Sequence, residues 1–381
     1  MARTQILPTD PGAVKIWSAK VALDSAKKRY FAKMIGAEGS YMPVVEKTDL
    51  EAKPGDEVTT TLIAKLRGKP VEGQEKLAGR IQKLTSATHK MRIDKHRQAV
   101  NVGDVMDQKR VNWSIPEQAR DRLSDYMGEV YDEQITMTAA GARGIGDEIQ
   151  HYPIGYGGFP NAFVAPDAAH VMYFDGSRAN AAALTSGDKL GTNVIDKLVL
   201  RAKKQIGGLT DSKPVRMEPI RADGGKHFVY LACPESMYDI RREVGDAGWL
   251  TLEKAKATAE GSKSVIFTGG KALYNGVLVD ETQTCVKFDT TTAGGSYGTG
   301  LVARNLFLGA NAVAVAHGTK AQRDGMKYEL SEADEDYGEE GDIIVRMIAG
   351  FSKCRFAPDG VPANGLDFGL IVNDVAYTQA Q

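Results

Sequence analysis

The chain has 381 residues, 42% hydrophobic and 25% charged, with 48 basic and 49 acidic residues and a formal net charge of −1. This length exceeds the usual size of one core, so two or three structural units are expected. Proteins whose main task is to bind a polyphosphate usually carry a basic excess, which this chain lacks.

Three isolated cysteines, Cys233, Cys285 and Cys354, lack the spacing of a metal or redox site, and their odd number does not suit a disulfide framework. The longest apolar tract, 305–316, is far shorter than the roughly 20 residues of a membrane-spanning helix. The N-terminal residues lack the apolar segment of a secretion signal. We therefore expect a protein that is made in the cytoplasm and does not enter a membrane.

The first predicted elements form an arm and a projecting hairpin. Apolar residues recur at helical spacing across 14–34, which predicts an amphipathic helix. Two strand-like runs follow, at 56–66 and 87–102, separated by a polar tip at 67–86. A two-stranded ribbon is marginal in water by itself. We therefore expect this hairpin to lie on another surface.

The clearest element is a long helix at 114–140. Ser114 is its predicted N-cap, Pro116 lies in the first turn, Glu117 completes a capping box, and Gly141 ends the helix. About 26 residues at ~1.5 Å each give a rod of about 39 Å. Such a rod is long for a compact enzyme domain and suits a spine.

The rest of the chain is predicted to mix helices and strands. The predicted elements are an aromatic, Gly- and Pro-rich loop at 151–174, a helix at 193–205, a strand and helix across 227–245, two strands around a turn at 263–282, a helix across 301–316, and strands at 342–356 and 367–378.

No pattern indicates catalysis or cofactor binding. Gly298–Ala303 matches a dinucleotide-binding motif, but no strand precedes it. The acids of 334–342 lack the ligand spacing of a calcium loop, and no two of the six histidines have the spacing of a zinc site. We therefore predict no catalytic residue, no cofactor and no metal site.

Charge is segregated along the chain. Residues 61–100 contain ten Lys and Arg side chains and three acids, whereas 329–342 is mostly acidic and has no Lys or Arg. The basic stretch has three interpretations: a solvated surface, nucleic-acid contact, or pairing with protein carboxylates. Nucleic-acid contact is weakened because no Phe, Tyr or Trp lies between Leu62 and Val100 to stack on bases.

Taken in order, several segments resemble a major capsid protein of tailed bacteriophages, and more narrowly the lineage of schitovirus-type podophages. The segments are "VKIWSAKVALDSAKKRYFAKMIG", the charged two-stranded extension, "IPEQARDRLSDYMGEVYDEQI", "GGKALYNGVLVDET", "NLFLGANAVAVAHG" and "DIIVRMIAGFSKCRF". Each motif is weak alone, but the correspondence covers nearly the whole chain.

The resemblance implies an α+β protein with the Johnson fold of phage capsids. Carried onto this sequence, it predicts an N-terminal arm at 1–40, an extended β-hairpin loop at 41–102, a peripheral domain at 103–224 with the spine helix at 114–140, an axial domain at 225–335, and return strands of the peripheral domain with the C-terminal tail at 336–381.

The function implied by the resemblance is self-assembly into hexamers and pentamers of an icosahedral head around packaged double-stranded DNA, with no sequence-specific DNA binding and no membrane. Scaffolding, portal and decoration proteins are the expected partners, and the virion is the expected location after assembly in the host cytoplasm. We predict contacts between copies that join two groups of side chains: Lys76, Arg80 and Lys83 with Asp334, Glu335, Asp336, Glu339 and Glu340. The alternative function is a cytoplasmic nucleic-acid-binding protein that uses the basic stretch 65–97.

Overall fold

The computed structural model shows an α+β protein in which one long helix packs against two large mixed sheets. The residues described are 29–52, 54–63, 70–74, 76–79, 81, 86–104, 109, 114–204, 217–222, 225–243, 249, 272–289, 300–318, 327–335, 340–356 and 365–378.

The described helices are α1 (Asp49–Ala52), α2 (Ile115–Ala140), α3 (Thr192–Lys203) and α4 (Pro234–Arg241), with 3-10 turns at Tyr30–Met34 and Ala181–Ala183. The described strands are β1 (Ile35–Ala37), β2 (Val44–Lys47), β3 (Glu57–Ile63), β4 (Ser86–Arg92), β5 (Asp94–Asp104), β6 (Val171–Tyr173), β7 (Ile220–Ala222), β8 (Gly225–Ala232), β9 (Ala272–Tyr274), β10 (Val277–Glu281), β11 (Val286–Phe288), β12 (Val302–Leu308), β13 (Val313–His317), β14 (Tyr328–Glu335), β15 (Glu340–Lys353), β16 (Arg355–Phe356), β17 (Leu366–Asp367) and β18 (Leu370–Ala376).

The helix α2 confirms the predicted spine. The Ser114 side chain accepts a hydrogen bond from the Glu117 backbone N–H, and Gly141 ends the helix in the left-handed conformation at φ 69°. The glycine is required there twice over, because a Cβ would also lie 2.3 Å from the Val164 carbonyl oxygen. The first half of α2 is partly exposed and the last ten residues are all buried, so the helix enters the core as it proceeds.

The first sheet has the strand order β1-β2-β13-β15-β14, with β5 paired to β15 on the side away from β13 and β14. The strands β13 and β14 follow one another along β15, from the pair Val313 and Lys353 to the pair Glu335 and Glu340. Alternate residues of β15, such as Val345 and Met347, are buried on the side where α2 packs.

The second sheet has the order β6-β18-β12-β8-β10-β9, with β11 on β12 and β7 on β8. One apolar core joins α2 to both sheets, and a second core fills the space between this sheet and the helices α3 and α4. In each sheet, a strand of the predicted axial range (225–335) pairs with a strand of the predicted peripheral ranges (103–224 and 336–381). These pairs are β14 with β15 in the first sheet and β12 with β18 in the second. The domain boundaries stay a prediction.

The predicted helix across 301–316 is wrong: this segment forms the strands β12 and β13, joined by a turn at 309–312. All seven residues of β12 and all five of β13 are buried. A strand buried on both faces has no alternation of apolar and polar residues, so its apolar run resembles that of a buried helix. Asn311, at φ 57°, takes the left-handed conformation that the turn requires.

The predicted hairpin is present, with β3 antiparallel to β4 from the pair Glu57 and Arg92 to the pair Ile63 and Ser86. The predicted strand at 87–102 is two strands, because the chain bends at Ile93 between β4 and β5. Gly350 permits this bend, since a Cβ there would lie 2.0 Å from the Arg92 carbonyl oxygen. After the bend, β5 leaves the hairpin and joins the first sheet.

Three further predictions are confirmed, while the loop predicted at 151–174 contains the short strand β6. The helix at 193–205 is α3, the strand and helix at 227–245 are β8 and α4, and the two late strands are β15 and β18. The predicted N-terminal helix lies mostly outside the described residues, and its last five residues form a 3-10 turn. Of the two strands predicted across 263–282, the first lies outside the described residues, and the segment predicted as one short strand after the turn is the hairpin β9–β10.

Candidate assembly surfaces

The hairpin β3–β4 has one buried face and an exposed tip. Val58, Ala87 and Met91 are buried, whereas Leu77 and Ile81 in the tip are 66% and 80% exposed. At the base, Lys90 and Arg92 form exposed ion pairs with Glu57. The base is therefore anchored, while the described apolar side chains of the tip are largely exposed.

The predicted contact residues belong to two places in the chain, the tip of the hairpin β3–β4 and the connection between β14 and β15. Lys76 is exposed in the hairpin tip. Register brings the backbones of Asp334, Glu335 and Glu340 together where β14 and β15 begin their ladder. Outside the described residues lie Arg80, Lys83, Asp336 and Glu339, together with the side chains of Asp334, Glu335 and Glu340. The pairing of the two groups stays a prediction.

The exposed side of α2 carries carboxylates at four-residue spacing, which places them on one face of the helix. The packing of the helix leaves Glu117, Asp121 and Glu129 exposed, whereas Asp125 is half-buried and lies 3.5 Å from Arg122. The cation Arg120 is turned away from this stripe, with its guanidinium 3.0 Å from Glu332 on β14. The stripe consists of Glu117, Asp121, Asp125 and Glu129.

The aromatic loop at 151–163, which the sequence left unplaced, packs on α2. His151 lies 2.9 Å from the buried carboxylate of Glu133 and 3.4 Å from the exposed carboxylate of Glu129. The Gln134 amide donates to the Tyr152 hydroxyl. Four rings then form a cluster of tilted and edge-to-face contacts, with centroid separations of 4.4–5.5 Å, and this cluster ties the loop together. The rings are those of Tyr152, Tyr156, Phe159 and Phe163.

The same loop holds the base of the hairpin. The Asn161 side chain accepts from the Arg92 backbone N–H at 2.9 Å and donates to the Arg92 carbonyl oxygen at 2.8 Å. This two-bond contact fixes the chain where β4 bends into β5. The role of Asn161 could not be predicted from the sequence, because one asparagine in an irregular loop gives no pattern.

Comparison with known proteins decides the family. A family model described as phage capsid protein matches residues 6–378. The chain belongs to the phage capsid protein family.

The similar proteins agree with this family. The solved capsid of Ralstonia phage GP4 is 32% identical over the full length of both chains, with a TM-score of 0.78. The capsid of cyanophage Pam1 is 17% identical, covers 93% of this chain and 94% of that one, and has a TM-score of 0.67. The major capsid protein of Pseudomonas phage KPP25 is 25% identical over 375 residues, 93% of each chain.

These findings confirm the predicted α+β phage capsid fold and the predicted role. The protein is a structural protein of the virion, a phage major capsid protein that assembles with copies of itself into the capsid lattice. The family model and the similar capsid proteins favour this role over the alternative of a cytoplasmic nucleic-acid-binding protein that uses the stretch 65–97. The narrower podophage lineage stays a prediction.

In this capsid protein a buried carboxylate fastens the 3-10 turn Tyr30–Met34 to α2. The Asp132 side chain accepts hydrogen bonds from the backbone N–H groups of Tyr30, at 2.6 Å, and Phe31, at 3.3 Å. The Arg29 guanidinium lies 4.5 Å from the centre of the Tyr131 ring. Burial raises the pKa of Asp132 to about 6, although the two N–H donors and Arg29 act to lower it.

Two buried ion pairs lie within the core of the capsid protein. Arg304 on β12 binds Asp374 on β18 through two hydrogen bonds of 2.8 and 2.7 Å, and also donates to the Ala140 carbonyl oxygen at the end of α2. Lys353 lies 3.0 Å from the fully buried Asp367. Such pairs are costly to break, because the remaining charge is left without compensation.

The part of the chain that the structure describes contains no group of three or more His, Cys, Asp or Glu side chains arranged to hold a metal ion. Within that part, no helix combines the length and the apolar character needed to cross a membrane. The three cysteines are buried free thiols.

Proposed function

We propose that this capsid protein forms hexamers and pentamers that close into an icosahedral shell around packaged double-stranded DNA. The observation that supports the proposal is the hairpin tip, where the described apolar side chains of Leu77 and Ile81 are 66% and 80% exposed. A closed shell makes modest contacts sufficient, because each subunit forms many of them at once.

Within the shell, the basic hairpin tip would lie against acids of an adjacent copy. Lys76, Arg80 and Lys83 are the proposed cations, and the acids around the end of the β14–β15 ladder are the proposed partners: Asp334, Glu335, Asp336, Glu339 and Glu340. Exposed ion pairs contribute only ~0–1 kcal/mol each. Charge would therefore set the orientation of the hairpin, while buried apolar area would hold it.

We further propose that scaffolding, portal and decoration proteins join the assembly in the host cytoplasm. The shell would enclose the DNA without sequence-specific binding. The formal net charge of −1 supports this proposal, because a strongly basic wall would hold the genome and oppose its packing and ejection.

Charge reversal tests the proposed contact. The triple variant Lys76→Glu, Arg80→Glu, Lys83→Glu should fold normally and fail to form shells, because it places like charges against the acidic ladder end. Circular dichroism would report the fold, and negative-stain microscopy would report assembly. A matched control reverses three other exposed cations, Lys203, Lys204 and Lys226, and should assemble. Normal shells from the hairpin triple would show that the pairing is wrong.

A further inference from the structure

Two of the three cysteines meet in the interior of the chain. Cys233 and Cys285 are far apart in the sequence, yet they lie in one small buried cluster with Ala303, and Tyr377 packs against that cluster. Each cysteine is 1% exposed, and both thiols are free. The fold therefore creates a thiol pair that the spacing of cysteines along the sequence does not show.

Strand pairing explains why the two cysteines meet. The strand β18 pairs along the whole of β12, so β8 and β11 both lie on the other edge of β12. On that edge, the pairing of β8 ends at Leu231 with Leu306, and the pairing of β11 begins at Val286 with Arg304. The two strands thus meet end to end. One cysteine directly follows β8 and the other directly precedes β11.

Hydrogen bonds fix the backbone on both sides of this junction. The Cys233 N–H donates to the Asn305 side-chain oxygen at 2.9 Å. The Thr282 N–H donates to the Ala232 carbonyl oxygen at 3.0 Å, and the Thr282 carbonyl oxygen accepts from the Cys285 thiol at 3.3 Å. The approach of the two sulfur atoms is therefore set by the sheet and its connections.

The two thiols are within hydrogen-bonding reach of each other. Hydrogen bonding to Cys233, together with burial, raises the pKa of the Cys285 thiol well above its usual value. Cys285 therefore keeps its proton, and Cys233 is the sulfur placed to react first. In the described part of the chain no group of three metal-ligating side chains is present, so the pair lacks the ligand set of a zinc site.

We propose that Cys233 and Cys285 are an oxidation site, at which hydrogen peroxide met outside the host converts the thiol pair into a disulfide within the subunit. Because both thiols are buried, the oxidant must be small and neutral, and it enters when the structure opens locally. The inference goes beyond the proposed function and rests on one part of it, assembly in the reducing cytoplasm before the virion leaves the cell.

The reaction has two steps and consumes one peroxide. The Cys233 sulfur attacks a peroxide oxygen, the O–O bond breaks, and the products are a sulfenic acid on Cys233 and one water. The Cys285 sulfur then attacks the Cys233 sulfur, the S–O bond breaks, and the hydroxyl leaves as a second water with the Cys285 proton. The two thiols are oxidised to one disulfide, and the peroxide is reduced to two waters.

The disulfide would join two connections of the second sheet, the one between β8 and α4 and the one between β10 and β11. It closes the chain from 233 to 285 into a ring, which restricts the unfolded state. Lys287, the second residue of β11, already binds Glu148 and Glu235 beside this junction. Oxidation would therefore stabilise the subunit without any new contact between copies.

Counting free thiols in assembled shells tests the site. Shells of the unmodified chain are prepared under reducing conditions, freed of reductant, and treated with dilute hydrogen peroxide. They are then unfolded in the presence of a maleimide-linked polymer, and the gel shift reports the number of free thiols per chain. This count does not respond to methionine oxidation. The urea midpoint of the shells is measured in parallel.

The third cysteine supplies the matched control. Cys354 is also buried, but it packs in a different cluster with residues such as Leu50 and Met91. Variants Cys285→Ala and Cys354→Ala each remove one buried thiol, and only the first removes a member of the pair. Cys233→Ala is a second variant of the pair in case Cys285→Ala does not assemble.

We expect three free thiols before peroxide and one after, with the tryptic peptides 227–241 and 272–287 joined until dithiothreitol is added. The urea midpoint should rise on oxidation in the unmodified chain and in Cys354→Ala, and stay unchanged in Cys285→Ala. Three free thiols after peroxide, a disulfide that involves Cys354 or joins two copies, or an unchanged midpoint would overturn the proposal.

The outcome is separable from that of the proposed function. Shells that form and keep their thiols would reject the disulfide and leave self-assembly standing. Failure of the unmodified chain to form shells would contradict the proposed function, and the same thiol count on purified phage particles would then decide the disulfide.

Discussion

Single buried groups decide how segments that are distant in sequence attach to one another in this capsid protein. Asp132 shows the effect most clearly, because its carboxylate is buried and yet accepts two backbone N–H groups of the arm. In the sequence it is one of several acids on an amphipathic helix. Its burial follows from where the arm packs, which no local pattern reports.

The pKa of Asp132 gives a prediction with a definite sign. Its value of about 6 in the folded chain lies above the ordinary value of 3.8, so the folded state binds this proton more tightly. The stability contributed by protonation is fully present below about pH 4 and is lost as the pH rises through 6, with a slope of at most ~1.4 kcal/mol per pH unit. The variant Asp132→Asn keeps an acceptor oxygen and removes the titration.

Urea unfolding of both proteins at pH 4, 5, 6 and 7 measures this contribution. The free energy of unfolding of the wild type minus that of Asp132→Asn should fall between pH 4 and 6 and level off above 7. Other titrating groups, including Glu46 with its pKa lowered to about 2 by His317 and Lys327 against the effect of burial, cancel in the difference. A difference that is constant or rises with pH contradicts the assignment.

At the scale of elements, the helix α2 was predictable from its end signals, whereas the two fully buried strands β12 and β13 were mistaken for a helix. The Ser114 cap and the Gly141 stop define α2 within the sequence itself. The strands β12 and β13 depend instead on partners far along the chain, namely β8, β15 and β18. Their apolar runs fit a helix equally well until those partners are known.

The bend between β4 and β5 is an element whose geometry depends on one glycine. A methyl group at position 350 would lie 2.0 Å from the Arg92 carbonyl oxygen, whereas at position 341 of the same strand it meets nothing within 4 Å. We expect Gly350→Ala to destabilise the protein by roughly 1–3 kcal/mol, as overpacking does, and to displace the hairpin base. Gly341→Ala should remain within about 0.5 kcal/mol of the wild type.

Denaturant unfolding and amide hydrogen exchange across 86–93 compare these two variants. Exchange should accelerate in Gly350→Ala alone, since the Ile93 N–H donates to the Asp56 carbonyl oxygen at the bend and Arg92 binds Asn161. Equal stability and equal exchange in the two variants would mean that the close approach at Gly350 does not hold the hairpin.

At the scale of the whole molecule, the order of segments along the chain predicted the family and the projecting hairpin. Charge segregation between 61–100 and 329–342 indicated contact residues, but the packing of the aromatic loop at 151–163 on α2 was not foreseen. An irregular loop of Gly, Pro and aromatic residues has no period, so its position on α2 follows only from tertiary contacts such as His151 with Glu133. The position of such a loop can be seen in the structure but cannot be predicted from the sequence.

We expect the exposed hairpin tip of this chain to be covered by other copies of the chain in a shell. Cryo-electron microscopy of the purified protein, alone and with its phage's other head proteins, tests this most directly. We expect closed shells built from fivefold and sixfold capsomers, with each hairpin tip lying on a neighbouring subunit. A compact monomer under every condition, with Leu77 and Ile81 folded back onto their own chain, would contradict it.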